Sequence, residues 1–365
     1  MKFGYFAEFE QTRATALNVQ QMYNDYLEQV CFAERHGFES VWVLEHHFTE
    51  TYSYCSAPEI LLTAIAARTG TIRLGPGVCL LPYHNPVTVA ERYATLDVLS
   101  GGRLEFGVGR GVVSFEWSKF RDEPYEQSRD MMYEALELIL KCWTRDSVVH
   151  HGRYYNVTEP INVIPKPIQK PHPRIHIAGT SPESAGLYGS LGWNVLGICN
   201  FHPNVEITRQ ARAFREGRSR AKGPGDAQFS VIVFVHCAKT DSEADARIRP
   251  YHKWFYTTMG KSYGIDKDPD PANLAARYIR NEAQLEDFKG RGMIISGSPE
   301  TCIRILQEME SAGVDRAMCQ FRLGLMPHGE VMESLSLFSR EVVPALNKEP
   351  ADRLLAAGDT GGELA

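Results

Sequence analysis

The chain has 365 residues, of which 43% are hydrophobic and 23% are charged, and this composition is typical of an ordinary globular protein. Its net charge of -6 and its pI near 6.1 argue against nucleic acid as the main partner, because phosphate binding needs a basic surface. No apolar run approaches the ~20 residues needed to span a bilayer, and the N-terminal sequence MKFGYFAEFE is too short and too acidic for a signal peptide. We therefore expect neither a nucleic-acid partner nor a membrane partner.

The eight cysteines do not form a CxxC pair, and most of them lie inside apolar strand or helix patterns. They are predicted to be buried small hydrophobic residues rather than disulfide or zinc ligands. This usage predicts a reducing, cytoplasmic setting.

Strand-like apolar runs alternate with amphipathic helical runs along the chain. The predicted strands are residues 2–7, 41–44, 72–80, 104–108, 174–178, 194–198, 229–237 and 317–321. The predicted helices are residues 19–36, 57–68, 86–99, 128–143, 182–191, 206–222, 299–312 and 331–346, with a further helix beginning near Ser242.

Two stretches interrupt this alternation. Residues 146–173 are rich in His, Tyr and Pro and predict an irregular insertion with a hairpin, and residues 257–292 form a polar, Gly/Pro/Asp-marked insertion after the seventh strand. Residues 1–346 are predicted to form one domain, followed by a flexible tail over 347–365.

Eight strands separated by helices predict a (β/α)8 TIM barrel with insertions, and a doubly wound open sheet is the rival arrangement. In a barrel, the loops that follow the strands build the functional face. The sequence Glu45-His46-His47 follows the second strand and is therefore expected at that face.

Two interpretations of Glu45-His46-His47 are open: an acid/base or metal site, or a polar loop whose histidines only form hydrogen bonds. A metal site is disfavoured, because the first strand carries no histidine and adjacent residues of an extended chain point in opposite directions. We predict no metal.

Two segments could bind a phosphate. The sequence GVGRG at 107–111 closes the fourth strand, and its Arg110 either grips an oxyanion or forms a structural ion pair. The sequence AGTSPESA at 178–185 leads into a helix, whose N-terminus either binds phosphate or is an ordinary Ser/Thr cap. The glycine-rich end of the third strand, from Gly75, offers either a flat surface for an aromatic ring or a tight bend.

These residues, taken in order, carry a resemblance to a known family. The segments are VLEHHFTE (43–50), LGPGVCLLPYHNPV (74–87), LSGGRLEFGVGRG (99–111), GTSPESA (179–185) and LFSREVVP (337–344). In this order and spacing the chain resembles the bacterial-luciferase-like, flavin-dependent monooxygenases, from its first strand through Pro344.

The resemblance implies a (β/α)8 barrel that binds reduced FMN at the C-terminal ends of its strands. Its implied phosphate contacts are Arg110 and the backbone around Val112, Glu183 and Ser184. Gly77 and Val78 would lie against the isoalloxazine ring, at a place where members often have a non-prolyl cis peptide. His46 matches the active-site histidine of the family, and Glu45 would orient His46 or the flavin ring. Residues 257–292 match the region that forms a mobile lid.

The implied reaction uses FMNH2 and O2 through a C4a-(hydro)peroxyflavin, with His46 exchanging a proton. The expected substrate is a small, largely apolar organic molecule, and the reaction is Baeyer–Villiger insertion, aldehyde oxidation or hydroxylation. The resemblance also implies a separate NAD(P)H:flavin reductase and a homodimer formed through the helices after strands two and three.

Two alternative functions remain open from the sequence. One is an F420-dependent hydride-transfer oxidoreductase on the same fold, and the other is a non-catalytic flavin-binding protein. The sequence Glu45-His46-His47 favours FMN over F420, and the same sequence together with Arg110 argues against a non-catalytic protein.

Overall fold

The structure is a computed structural model that describes residues 1–11, 18–50, 52–221 and 226–347. Its strands alternate with helices in the order that the sequence predicts. The strands are β1 (Lys2–Ala7), β2 (Ser40–Val43), β3 (Arg73–Pro76), β4 (Cys79–Leu80), β5 (Glu105–Gly109), β6 (Val148–His151), β7 (Asn156–Ile161), β8 (Arg174–Ala178), β9 (Asn194–Ile198), β10 (Phe229–Cys237), β11 (Ile294–Gly297) and β12 (Arg316–Gln320).

Thirteen α-helices are defined among the described residues. They are α1 (Val19–Arg35), α2 (Pro58–Ala66), α3 (Pro86–Leu99), α4 (Ser114–Phe120), α5 (Ser128–Thr144), α6 (Pro182–Ser190), α7 (Asn204–Arg218), α8 (Asp241–Tyr263), α9 (Leu274–Ile279), α10 (Leu285–Gly290), α11 (Pro299–Ser311), α12 (His328–Leu337) and α13 (Val343–Leu346). Several begin where the sequence supplies a cap: Asn85 caps α3 and Ser298 caps α11, each followed by a proline.

The strands form a nearly closed parallel barrel, which confirms the predicted fold. Nine of them pair in the order β3-β2-β1-β12-β10-β9-β8-β5-β4, and β11 pairs with the end of β10. The two ends of this path, β3 and β4, are halves of one predicted strand that is interrupted at Gly77–Val78, where the peptide bond is cis. β3 pairs with β2 and β4 pairs with β5, so the barrel closes through this segment.

A buried ionic cluster lies between the strands inside the barrel. The carboxylate of Glu105 accepts hydrogen bonds from Arg73 and His176. Burial alone would raise the pKa of Glu105, but His176 and Arg73 outweigh burial and hold the pKa at about 2. The charge therefore stays paired within the core, which limits the cost of burying it.

Four details differ from the sequence prediction. The third strand is split into β3 and β4, with Gly77 and Val78 between them. The short helix α4 and the strand β11 were not predicted, since each is too short to show a clear period. The start of the polar insertion is helical, because α8 continues through Tyr263 and buries Met259 despite weak helix formers such as Gly260.

The rest of the 257–292 insertion carries α9 and α10, and the 146–173 insertion contains the predicted hairpin, formed by β6 and β7. The division into one domain over 1–346 and a tail stays a prediction, and residues 348–365 lie outside the described residues. Among the described residues, no helix combines the length and apolar character that a membrane crossing requires.

The seam of the barrel supplies a test of the packing. A Cβ at Gly107 would lie 2.0 Å from the backbone oxygen of Pro76, so we expect Gly107→Ala to lower the free energy of unfolding by about 1–3 kcal/mol. Denaturant unfolding measures this change. The exposed Gly70, whose Cβ would meet nothing within 4 Å, is the control, and Gly70→Ala should stay within about 0.5 kcal/mol of the parent. Equal stability of the two variants would contradict the close approach.

Candidate functional site

The C-terminal ends of the barrel strands surround one large cavity of about 520 Å³. Its wall includes Glu45, His46, Gly77, Val78, Arg110, Val112 and Ser184, so seven of the eight predicted site residues are brought together. Glu183 does not line the cavity, although it follows Ser181 and Pro182 in the same turn. Apolar side chains such as Phe6, Leu196 and Ile232 form much of the remaining wall.

His46 is buried, with 8% of its surface exposed, and both of its ring nitrogens have partners. Nδ1 lies 2.9 Å from Oε1 of Glu116, and Nε2 lies 3.0 Å from the hydroxyl of Tyr263. Because a carboxylate only accepts, Nδ1 of the neutral ring carries the proton and Nε2 accepts from Tyr263. The backbone N–H of His46 donates to Cys55 over 2.8 Å, which fixes the loop.

Glu45 contacts the other histidines of the site rather than His46. Its carboxylate accepts from the ring of His47 at 2.9 Å, from the ring of His84 at 2.6 Å and from the backbone N–H of Leu80 at 3.0 Å. Burial would raise the pKa of Glu45, but the hydrogen bonds from His47 and His84 outweigh burial and lower the pKa to about 2. Glu45 is therefore an ionised anchor, and Glu116 is the residue that orients His46.

Glu45, Cys79 and His84 place one oxygen, sulfur or nitrogen atom each within 4.8 Å of one another, which is a spacing that a metal ion could use. Two observations favour a hydrogen-bonded cluster instead. Glu45 and His84 are joined directly, and burial raises the pKa of the Cys79 thiol, which opposes the thiolate that a metal binds.

Arg110 lies just beyond β5 at one end of the cavity. Its Nη1 donates to Oγ of Ser128 over 3.2 Å, and its guanidinium lies 4.9 Å from the ring centroid of Tyr125. Arg129, in the first turn of α5, lines the same end. Two guanidinium groups thus give this end of the cavity positive charge.

The N-terminus of α6 faces this region, because β8, which precedes it, pairs with β5. Ser181 caps α6, and the hydroxyl of Ser184 accepts from the backbone N–H of Ser181, so the turn is a capping box. The side chain of Glu183 is exposed, and its own backbone N–H and the hydroxyl of Ser181 lower its pKa. The helix start thus already holds one carboxylate.

The opposite end of the cavity contains a buried carboxyl group, Glu8, directly after β1. It accepts from the hydroxyl of Tyr52, and its Oε2 accepts from Nε2 of Gln320 at 2.8 Å. Burial raises the pKa of Glu8, and Tyr52, His46 and Gln320 offset part of that rise.

Six polar residues of the cavity were missed in the sequence: Glu8, Tyr52, Glu116, Arg129, Tyr263 and Gln320. Glu116 lies on the unpredicted helix α4, and Tyr263 lies in the segment predicted to be a polar insertion. Glu8 and Gln320 could have been found, since each is a polar residue at the C-terminal end of a predicted barrel strand, where function concentrates.

The sequence and the fold have counterparts among known proteins. The family model for luciferase-like monooxygenases matches residues 1–316. The 4-hydroxyprotoasukamycin monooxygenase of Streptomyces nodosus is 38% identical over 342 residues, covering 88% of this chain and 86% of that protein. The oxygenase component of the flavin-dependent trigonelline monooxygenase of Acinetobacter baylyi is 24% identical over 359 residues, covering 97% and 98%. The F420-dependent glucose-6-phosphate dehydrogenase of Amycolatopsis mediterranei is 31% identical over 362 residues, covering 95% and 98%.

Solved structures show the same fold. The monooxygenase RslO1 from Streptomyces bottropensis superimposes with a TM-score of 0.83 at 23% identity, covering 95% of this chain and all (100%) of that one. The oxygenating constituent of the 3,6-diketocamphane monooxygenase from Pseudomonas putida, in complex with FMN, gives a TM-score of 0.77 at 22% identity, covering 95% and 99%. The chain is an enzyme of the luciferase-like monooxygenase family, as the order of its sequence motifs predicts.

Proposed function

We propose that this enzyme uses reduced FMN and O2 to transfer one oxygen atom to a small, largely apolar organic substrate. The reaction is a Baeyer–Villiger insertion, an aldehyde oxidation or a hydroxylation. The observation that carries the proposal is that one cavity joins a positively charged end at Arg110 to an apolar interior that contains the buried His46.

The positively charged end fits the phosphate of FMN. Arg110 and Arg129 supply positive charge, and the start of α6 supplies backbone N–H groups and hydroxyls at Ser181 and Ser184. The carboxylate of Glu183 is fully exposed at that helix start, so it can leave when a phosphate arrives. In this proposal the phosphate is held by the guanidinium of Arg110 and by the backbone around three residues, Val112, Glu183 and Ser184.

The middle of the cavity fits a flat ring. Gly77 and Val78 form part of its wall. Gly109 lies so close to Val78 that a Cβ there would be 2.4 Å from the Val78 side chain, so only glycine fits without a shift. In this proposal the isoalloxazine ring lies against Gly77 and Val78. Bound reduced FMN supplies the electrons that activate O2.

The protein supplies a proton-transfer group and a dry environment. His46 lines the cavity and its Nε2 lies 3.0 Å from the hydroxyl of Tyr263, so the imidazole is placed to give or take a proton beside the ring. Glu116 keeps its Nδ1 protonated. Apolar walls formed by Phe6, Ile232 and neighbouring residues exclude water.

The proposal includes partners. The A. baylyi relative is named as an oxygenase component, which supports a separate reductase that delivers reduced FMN. A homodimer through α2 and α3 is supported by their exposed apolar side chains Ile60 and Leu99. The eight cysteines are all free in the structure, which supports a reducing, cytoplasmic setting.

A second candidate function is F420-dependent hydride transfer, which the A. mediterranei relative favours. Fluorescence quenching with FMN and with F420 separates the two functions. Tighter binding of F420 would overturn the FMN proposal. With FMN, a flavin reductase and a panel of apolar ketones, aldehydes and aromatic compounds, transfer of label from ¹⁸O2 into a product tests the oxygenase reaction directly.

We expect Arg110→Ala to weaken FMN binding by about 1.5–3 kcal/mol, because a charge-assisted hydrogen bond to the phosphate is lost. Fluorescence titration measures the change. Arg304→Ala is the matched control, because Arg304 lies on the outer helix α11 and is exposed. An unchanged FMN affinity in Arg110→Ala would remove Arg110 from the phosphate site.

We expect His46→Ala to bind FMN normally and to lose turnover by about 10²–10⁴-fold, since a positioned acid/base group is removed. The measurement pairs an FMN titration with a product assay under saturating reduced FMN. His151→Ala, which removes an exposed histidine on β6, should keep its turnover. Near-normal product yield in His46→Ala would refute the role of His46.

A further inference from the structure

We propose that Glu8, Tyr52 and Gln320 form a substrate subsite that accepts a hydrogen bond from a hydroxyl group on an otherwise apolar substrate. This inference rests on the proposed function, because it names the class of substrate for the same cavity. The three residues are called the acceptor subsite below.

The fold brings the acceptor subsite together from the two ends of the barrel sequence. β1 and β12 are adjacent parallel strands, with Tyr5 opposite Cys319. Glu8 follows the end of β1, and Gln320 is the last residue of β12. Tyr52 reaches Glu8 from the loop after β2. All three residues line the cavity.

The amide of Gln320 is held in one orientation and leaves an acceptor unpaired. Its Nε2 lies 2.8 Å from Oε2 of Glu8, 3.3 Å from Oε1 of Glu10 and 3.4 Å from the backbone oxygen of Arg322, and that backbone oxygen can only accept, so the NH2 group lies on that side. The amide oxygen, Oε1, is buried and has no hydrogen-bond partner among the described residues. Gln320 is only 1% exposed, so its amide oxygen is a buried acceptor whose hydrogen-bonding capacity is unused.

A second oxygen on the cavity wall points to the same kind of ligand. Oε2 of Glu116 is also buried without a partner in the described part of the chain. Both unpaired atoms are acceptors, and the nearby wall is apolar and aromatic, with Phe255, Met259 and Ile265. The complementary molecule is therefore largely apolar and carries a hydrogen-bond donor.

A neutral donor suits the charge of this region better than an ammonium group. Burial raises the pKa of Glu8 and raises the pKa of Glu10 well above its usual range, and His46 and Arg322 offset only part of these rises. Burial thus favours the neutral form of both carboxyl groups, and the remaining requirement is a hydrogen bond, which a hydroxyl supplies.

The acceptor subsite also lies beside His46. The ring of Tyr52 lies 5.6 Å from the ring of His46 and 6.0 Å from the ring of Tyr263, centroid to centroid. A substrate whose hydroxyl is held at Gln320 would therefore present its carbon skeleton close to the imidazole.

The test compares cyclohexylmethanol with methylcyclohexane. The two molecules share a ring, but water holds the alcohol more strongly, so a purely apolar cavity would bind methylcyclohexane more tightly. Headspace gas chromatography of the free compound gives each dissociation constant, with the protein flavin-free and with it saturated in oxidised FMN. We expect at least tenfold tighter binding of the alcohol. Equal or tighter binding of methylcyclohexane by the parent protein would overturn the proposal.

Gln320→Met removes the acceptor at similar volume and should reverse the preference. Gln210→Met is the matched control: Gln210 is a buried glutamine on α7 whose Oε1 also has no partner among the described residues, and it does not line the cavity. That variant should keep the preference for the alcohol, and loss of the preference in both variants would overturn the assignment to Gln320. Failure of FMN to bind, with the alcohol preference intact, would reject the proposed function and leave the acceptor subsite in place.

Discussion

The cavity depends on one buried carboxylate, Glu45. Burying a charge costs several kcal/mol unless hydrogen bonds and opposite charge compensate for it. Here His47, His84 and the backbone N–H of Leu80 provide that compensation, and the low pKa of about 2 keeps the group ionised. Because Glu45 and His47 follow β2, whereas Leu80 ends β4 and His84 lies just beyond it, Glu45 ties two strand ends together. The loop that carries His46 is therefore held in place from one side by Glu45 and from the other by Glu116.

The cationic groups and the hydrogen-bond acceptors of the cavity lie in different parts of its wall. Cationic side chains gather beyond β5 and at the start of α5, where Arg110 and Arg129 lie. Acceptor groups gather beyond β1 and β12, where Glu8 and Gln320 lie. The imidazole of His46 lies with Tyr52 and Tyr263 between these regions and the apolar wall. A ligand with an anionic tail and a second, apolar ligand can thus share one space without competing for the same groups.

The sequence predicted the barrel well, because most strands and helices are long enough to show their period and carry their own caps, as Asn85 and Ser298 do. It predicted the position of His46 and Arg110, because polar residues that follow barrel strands meet at one face. It did not predict their partners. Glu116 and Tyr263 are 70 and 217 positions from His46, and contacts over such separations leave no local pattern. Glu45 was expected to orient His46 or the flavin ring, whereas its hydrogen bonds go to His47, His84 and Leu80.

The hydrogen bond between Glu8 and Gln320 joins residues 312 positions apart. When β1 leaves the ribosome, most of the chain that precedes Gln320 has not yet been synthesised. Bringing Glu8 and Gln320 together closes this long segment into a loop, which costs conformational entropy. Until then the carboxyl group of Glu8 has no amide to meet and stays hydrated. The cavity wall at this place is thus completed last during synthesis, so a nascent chain can assemble most of its barrel strands before Glu8 and Gln320 meet.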